Sequence, residues 1–288
     1  LIDRNTRAVY CESVSNPAAT VADISALALV AHRRGVPLLV DNTVPTPALL
    51  RPIEHGADIV IHSATKFIGG HGTTLGGVIV DGGRFPWDAH RERFRGLVEP
   101  EPAYHGVVYT QQFGAAAFAA RCRTVCLRNT GACLTPLAAF LILQGLETLD
   151  LRMERHVQNA ARVANYLRRD RRVAWVNYLG LPEHPHHERA RYYLGNRFTS
   201  LLTFGVRGGF DAGRKTFDAF RLFTRLVNLG DVKSLATHPA STTHRQLTQA
   251  EQQRAGVTAE MIRLSVGIEH IDDILDDLDQ ALGAGVPV

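Results

Sequence analysis

The chain has 288 residues, with 45% hydrophobic and 21% charged side chains, enough to bury a sizeable core and neither disordered nor fibrous in composition. Its formal net charge of +4 and isoelectric point near 9.0 come from arginines interspersed among acids, as in Arg91, Glu92, Arg93 and Arg152, Glu154, Arg155, so no dense basic block points to nucleic acid. No apolar run reaches the ~20 residues of a bilayer span, no signal peptide is visible, and Cys11, Cys122, Cys126 and Cys133 form no CxxC pair; these features predict a cytoplasmic protein with small buried thiols and no metal site.

Strand character at residues 8–11 begins almost at once after Leu1, which is not a methionine, and leads to the expectation that the beginning of the sequence is missing. Between residues 7 and 80, short apolar runs at 8–11, 37–40, 58–61 and 77–80 alternate with helical stretches, the clearest at 21–34 and ended by Gly35 and Pro37. This order predicts βαβ units and a mostly parallel sheet covered on both faces. Residues 112–169 read as helical: an Ala-rich segment, then 136–146, then a long helix at 151–169 with Leu151, Val157, Ala160, Ala164 and Leu167 on its apolar face. Beyond residue 172 the order is α+β, with strands at 174–177, 200–206 and 261–266 and a helix at 212–225. The last helix turns Ile271, Ile274, Leu275, Leu278 and Leu282 inward and Asp272, Asp273, Asp276 and Asp277 outward. His184, His186 and His187 fall in a polar loop and are expected to face solvent. Two units are predicted: a sheet domain at 1–150 and a smaller domain at 151–288 that includes the long connecting helix.

Only three of the 32 basic side chains are lysines. Lys66 stands in His62-Ser63-Ala64-Thr65-Lys66-Phe67-Ile68-Gly69-Gly70-His71-Gly72, directly after an apolar strand. An amine flanked by hydroxyls and glycines suits a carbonyl-trapping catalyst with a phosphorylated cofactor, so Lys66 is the candidate Schiff-base residue. Lys215 on an exposed helix face and Lys233 in a polar loop lack that setting. Asp41 ends an earlier strand 25 residues before Lys66, which places both at the carboxyl edge where open α/β sheets bind ligands. A carboxylate there can hold a pyridine nitrogen protonated, making the ring an electron sink. The hydroxyls of Ser63 and Thr65 suit a phosphate. The glycines at 69–77 lead into a strand rather than a helix, against a dinucleotide loop. Arg263 lies inside the apolar run Met261 to Val266, where a structural salt bridge and anion binding compete; bidentate binding of a substrate carboxylate is preferred.

Asp41-Asn42-Thr43 followed by Gly56-Ala57-Asp58-Ile59-Val60-Ile61-His62-Ser63-Ala64-Thr65-Lys66 resembles the signature of the Cys/Met-metabolism family of pyridoxal-phosphate enzymes. Further runs extend the resemblance along the chain, among them Gly145-Leu146-Glu147-Thr148-Leu149, His238-Pro239-Ala240-Ser241-Thr242-Thr243-His244 and Arg263-Leu264-Ser265-Val266-Gly267-Ile268-Glu269-His270, and point to the O-acetylhomoserine sulfhydrylase branch. The resemblance implies an α/β, fold-type I transferase: a mostly parallel sheet sandwiched by helices, incomplete at the N-terminus, plus a smaller C-terminal α+β domain. It implies pyridoxal 5'-phosphate as cofactor, with Lys66 as its Schiff-base partner, Asp41 at the ring nitrogen, and Ser63 and Thr65 at the phosphate. Asn16 would lie near the cofactor's phenolic oxygen and the substrate, and Arg263 at the substrate carboxylate with Ser234 and Thr237 helping. The implied reaction is γ-replacement on O-acetyl-L-homoserine by sulfide, giving L-homocysteine and acetate in methionine biosynthesis. Cystathionine γ-synthase and methionine or cystathionine γ-lyase activities are the sister readings. A catalytically incompetent fragment is a third, because roughly the first third of the family's chains, with ring-stacking and phosphate-holding groups, has no counterpart here. A homo-oligomer, usually a tetramer, with sites between subunits is implied too. Val44-Pro45 departs from the family's usual Phe-Ala.

Overall fold

A computed structural model describes residues 1–286, and two sheets organise them. The first contains β1 (Val9–Glu12), β2 (Leu38–Asp41), β3 (Ile59–Ser63) and β4 (Gly77–Asp81), in the order β1-β2-β3-β4. The strands β1, β2 and β3 run parallel, in a register that sets Glu12 beside Asp41 and Asp41 beside Ile61. The crossover from β1 to β2 is the helix Ile24–Arg33, which starts where the Asp23 carboxylate accepts the Ala26 N–H and buries Ile24, Ala28 and Ala31 against the sheet. The parallel order predicted for 77–80 does not hold, because β4 runs antiparallel to β3, with Gly77 opposite Ser63. The connection at 64–76 is a loop with no crossover helix, and a parallel return needs one. Nor is β4 covered on both faces: Val78, Ile79 and Val80 are exposed at the sheet edge, as are Leu137, Phe140 and Leu143 of the helix Pro136–Glu147.

The second sheet comprises β5 (Val173–Asn177), β6 (Leu201–Val206), β7 (Thr224–Arg225), β8 (Leu235–Thr237) and β9 (Met261–Ser265), in the order β5-β6-β9-β8-β7. Antiparallel neighbours flank β9, which is buried along its whole length, and Arg263 pairs with Thr203 on one side and Thr237 on the other. Residues 224–225 join this sheet, so the helix preceding them closes at Ala219, earlier than its apolar pattern suggests. One buried hydrophobic cluster runs through both sheets, and a smaller one with Phe85, Trp87 and Tyr109 lies around Ile59 of β3.

Two helix faces differ from their periodicity. In the helix Leu149–Arg169 the buried side carries Arg152, Met153, His156, Val157, Asn159, Ala160, Val163, Ala164 and Leu167, while Leu151, expected inward, is 75% exposed. The buried stripe is rotated because three polar side chains on it meet backbone carbonyls of other segments. In the helix Ile271–Gly285 the apolar residues pack as expected, but Asp277 is buried rather than solvated. Its carboxylate accepts the N–H groups of Arg221 at 2.9 Å, Leu222 at 2.9 Å and Phe223 at 3.0 Å, satisfying a turn that has no ladder partner. The thiols of Cys126 and Cys133 are exposed, not buried. His184, His186 and His187 are half-buried, and the His187 ring hydrogen-bonds the Leu179 carbonyl at 2.8 Å. No helix among the described residues is long and apolar enough to cross a membrane.

Asp277→Ala leaves the three N–H groups without an acceptor. It is expected to cost about 3 kcal/mol of stability, read as a lower denaturant midpoint at unchanged slope in equilibrium unfolding.

Candidate active site

The carboxyl ends of β2 and β3 are fixed by a polar side chain behind them. Asn42 is fully buried; its N–H reaches Ile61 O at 2.8 Å, its Nδ2 donates to Thr46 O at 3.1 Å and Leu50 O at 2.7 Å, and its Oδ1 accepts the Ser13 hydroxyl at 2.8 Å. With the backbone so held, the Asp41 carboxylate accepts the Thr43 N–H at 2.9 Å on Oδ1 and the Tyr10 hydroxyl at 3.2 Å on Oδ2. The Thr43 hydroxyl in turn accepts the Ser63 N–H at 2.8 Å, tying the end of β3 to that of β2.

Lys66 sits on a single turn after β3. That turn is closed by the Lys66 N–H on Ser63 O, the Gly69 N–H on Ala64 O at 2.8 Å and the Gly70 N–H on Lys66 O at 2.7 Å. The amine is half-buried, and its Nζ donates to Asn228 Oδ1 at 2.5 Å. Asn228 also serves Arg263, whose Nη2 donates to the Asn228 carbonyl at 2.7 Å and to the Thr237 hydroxyl at 3.1 Å; Nη1 reaches Asn16 Oδ1 at 3.5 Å. The Arg263 Nε is buried without a partner. No carboxylate among the described residues pairs with Lys66 or Arg263; the one ion-paired lysine is Lys233, 3.6 Å from Asp231. Burial, then the neighbouring Arg263 charge, hold the Lys66 amine below the ordinary lysine range, and burial lowers Arg263 as well. The salt-bridge alternative for Arg263 therefore has no acid to make it among the described residues.

The loop at 228–232 approaches the lysine turn at backbone contact. Gly230 has φ of +78°, and a Cβ there would lie 2.6 Å from the Phe67 nitrogen, so the position demands glycine. The Gly230 N–H donates to Ser265 Oγ at 3.0 Å and the Val232 N–H to Gly70 O at 2.8 Å.

Of the residues singled out from the sequence, Asp41, Ser63, Thr65 and Lys66 thus come together at one sheet edge, and Asn16, Thr237 and Arg263 form a connected set with Lys66 through Asn228. The Ser63 hydroxyl has no hydrogen-bond partner among the described residues. That of Thr65 is engaged with the Gly76 backbone, donating to its carbonyl at 3.2 Å and accepting its N–H at 3.0 Å. Ser234 is occupied elsewhere: its hydroxyl donates to Glu269 at 2.9 Å and accepts the Gly267 N–H at 2.9 Å. Asn228 escaped sequence reasoning. A lone Asn in Val227-Asn228-Leu229-Gly230 fits no spacing rule, and only the glycine after it hints at a close approach.

A sequence profile described as Cys/Met metabolism PLP-dependent enzyme matches residues 1–283. Among curated proteins, the chain is 55% identical over 282 residues to a homocysteine synthase of Schizosaccharomyces pombe, covering 98% of this chain and 66% of that protein. It is 48% identical over 283 residues to O-acetyl-L-homoserine sulfhydrylase 1 of Thermus thermophilus, covering 98% and 67%. A Campylobacter jejuni crystal structure assigned as an O-acetylhomoserine (thiol)-lyase superposes with a TM-score of 0.91 at 40% identity over 98% of this chain and 67% of that one, and it contains N'-pyridoxyl-lysine-5'-monophosphate. The chain spans about two thirds of the length of the curated relatives it matches.

The lowered Lys66 pKa fixes a sign. Below it the folded state carries a half-buried charge at full cost; between it and the unfolded value near ~10.4 the folded amine is already neutral, so stability rises with pH across that window. Lys66→Met should therefore raise the unfolding midpoint at pH 7 and lose that advantage as pH approaches 10, checked by urea unfolding at both pH values.

Proposed function

The chain belongs to the Cys/Met metabolism PLP-dependent enzymes, and from that premise we propose that the protein replaces the acetoxy group at Cγ of O-acetyl-L-homoserine with sulfide, yielding L-homocysteine and acetate. The observation that carries an amino-acid substrate is the meeting of Lys66 and Arg263 on Asn228, a reactive amine and an unpaired guanidinium fixed side by side. The acetyl ester and the sulfide rest on relatives named homocysteine synthase and O-acetyl-L-homoserine sulfhydrylase.

The residues present fit the family's cofactor. The aldehyde would meet an amine that no carboxylate holds, the ring nitrogen a carboxylate whose position is fixed by Thr43 and Tyr10, and the phosphate the open Ser63 hydroxyl beside Lys66. When bound, pyridoxal phosphate supplies a carbonyl that condenses with amines and a ring that delocalises electrons from a neighbouring carbon. Asp41 would hold a proton on the ring nitrogen. Arg263 takes the substrate carboxylate through its free edge, with Thr237 and the Asn228 carbonyl fixing the plane of the guanidinium. With its amine free, Lys66 would act as the base that removes the Cα proton and moves a Cβ proton, which would let acetate leave from Cγ; sulfide would add at Cγ and protons return through the same amine. Partial burial, and then a cationic neighbour, favour the neutral amine this role requires. We further propose that the working unit is a homo-oligomer, a reading supported by the exposed apolar side chains of β4 and of the helix Pro136–Glu147, and that it works in the cytoplasm.

Borohydride reduction of the cofactor-loaded protein, followed by peptide mapping, is expected to place the pyridoxyl label on Lys66; a label on Lys215 or Lys233 instead would sink the assignment. Lys66→Ala should lower turnover by roughly 10³-fold. With the loaded wild type, homocysteine formation from sulfide should exceed cystathionine formation from cysteine, and the reverse order would refute the proposed nucleophile.

A further inference from the structure

Arg152 is a buried cation outside the site just described. It is 6% exposed, forms no ion pair among the described residues, and spends its donors on neutral oxygens. Its Nη1 donates to Phe67 O at 2.6 Å, its Nη2 to Ile68 O at 3.1 Å and Gly145 O at 2.5 Å, and its Nε to Thr148 Oγ1 at 3.1 Å. Phe67 and Ile68 are the two residues after Lys66. Within the lysine turn, the carbonyls of Ser63, Ala64 and Lys66 are used internally, whereas those of Phe67 and Ile68 point away and accept hydrogen bonds from Arg152. Gly70, at φ of +74°, leaves room for the guanidinium where any Cβ would collide with it. Lysine at position 152 could not reproduce this geometry, since an ammonium lacks the planar fork that serves several carbonyls at once.

The same helix face continues one turn on. His156 Nδ1 lies 2.6 Å from Val266 O, and its ring meets the Phe67 ring edge-on at 5.4 Å and 90°. Asn159 Nδ2 donates to Gly267 O and Glu269 O, both at 3.0 Å. Val266 and Gly267 directly follow β9, the strand that carries Arg263. Residues 152, 156 and 159 share one face by helical spacing, so one rigid helix holds the lysine turn at one point and the exit of the Arg263 strand at two others.

We propose that Arg152 is a positioning residue for Lys66: by fixing the outward carbonyls of the lysine turn to the helix Leu149–Arg169, it sets where the amine stands relative to Arg263. The inference rests on Lys66 being the reactive amine and is independent of which nucleophile the enzyme uses. Its consequence is that loosening the turn lets water reach Nζ and moves it away from the Arg263 charge, the two influences that lower its pKa.

The test compares wild type, Arg152→Lys and Thr148→Val, the last keeping the guanidinium but removing the hydroxyl that aims Nε. Trinitrobenzenesulfonate labelling of the cofactor-free protein, mapped by peptide, gives the pH profile of Lys66 with Lys215 as the solvated control. In Arg152→Lys the Lys66 profile should shift upward toward that of Lys215, so that labelling at pH 8 falls about three- to tenfold, in line with a shift of up to a pH unit. Thr148→Val should give a smaller shift of the same sign. In the loaded enzyme, kcat should fall more than KM changes. A folded Arg152→Lys whose Lys66 profile matches wild type would overturn the proposal; if that variant does not fold, an unshifted Thr148→Val profile would do the same. A borohydride label that still lands on Lys66 separates such a failure from a failure of the assigned function.

Discussion

The site is organised by two cations without counter-ions, one buried and one half-buried. Lys66 and Arg263 stand close enough for one charge to depress the other's pKa, yet each is held only by uncharged oxygens: the amine by the Asn228 side chain, the guanidinium by the Asn228 carbonyl and the Thr237 hydroxyl. Two like charges in a partly desolvated setting repel, and the hydrogen bonds of neutral groups offset only part of that cost. The balance has two consequences. The amine gives up its proton more readily than a surface lysine, and the site as a whole attracts anions. Both would suit the proposed binding of an amino acid by its carboxylate and the proposed action on it by a lysine.

Such an arrangement needs rigid support, because charges that repel separate if the backbone allows it. The support comes from two sides. Residues 228–232 press onto the lysine turn at backbone distance, which only Gly230 permits, and send the Val232 N–H to Gly70 O. Opposite them, Phe67 is packed edge-on against the neutral ring of His156, whose burial lowers its pKa to about 4. The groups that would handle a cofactor lie at the carboxyl ends of β2 and β3; the group that would hold a carboxylate lies on β9. The two sheets share a hydrophobic cluster, so the geometry between them is set by packing as well as by hydrogen bonds.

The parts of this that were legible in the sequence share one property: their signal is local. Lys66 and Asp41 each follow an apolar strand, and Arg263 interrupts one, so the strand pattern itself marks them. Asn228 bonds Lys66 across 162 positions, and nothing near it in sequence announces the contact. Arg152 reads as a solvated helix residue beside Glu154 and Arg155, but the carbonyls of Phe67 and Ile68, 85 and 84 residues away, require donors at that place. Asp277 was disguised by its company, since Asp272, Asp273 and Asp276 are exposed and only its position faces the unpaired N–H groups of 221–223. Apolar periodicity records where a helix meets other side chains. It is silent about backbone groups elsewhere in the chain that lack a partner, and those groups decide which polar residues are buried. The reversal of β4 has a similar origin: its residues are as apolar as those of a central parallel strand, while its direction is set by the loop that precedes it.

The choice of an amide oxygen to hold the Lys66 amine bears on the chemistry. A carboxylate at that place would favour the charged form of the amine and raise its pKa, leaving a poor base. An Asn oxygen accepts a hydrogen bond from an ammonium or a neutral amine alike, so it fixes position with little preference for charge. Under the γ-replacement reading, the same amine must let go of a carbonyl, take a proton from Cα, work at Cβ and return protons afterwards. A tether indifferent to protonation is compatible with every one of those states, whereas an ion pair would stabilise one of them at the expense of the rest. Burial, then the Arg263 charge, biases Lys66 toward the neutral amine, and under the same reading a substrate carboxylate on Arg263 would cancel part of that bias.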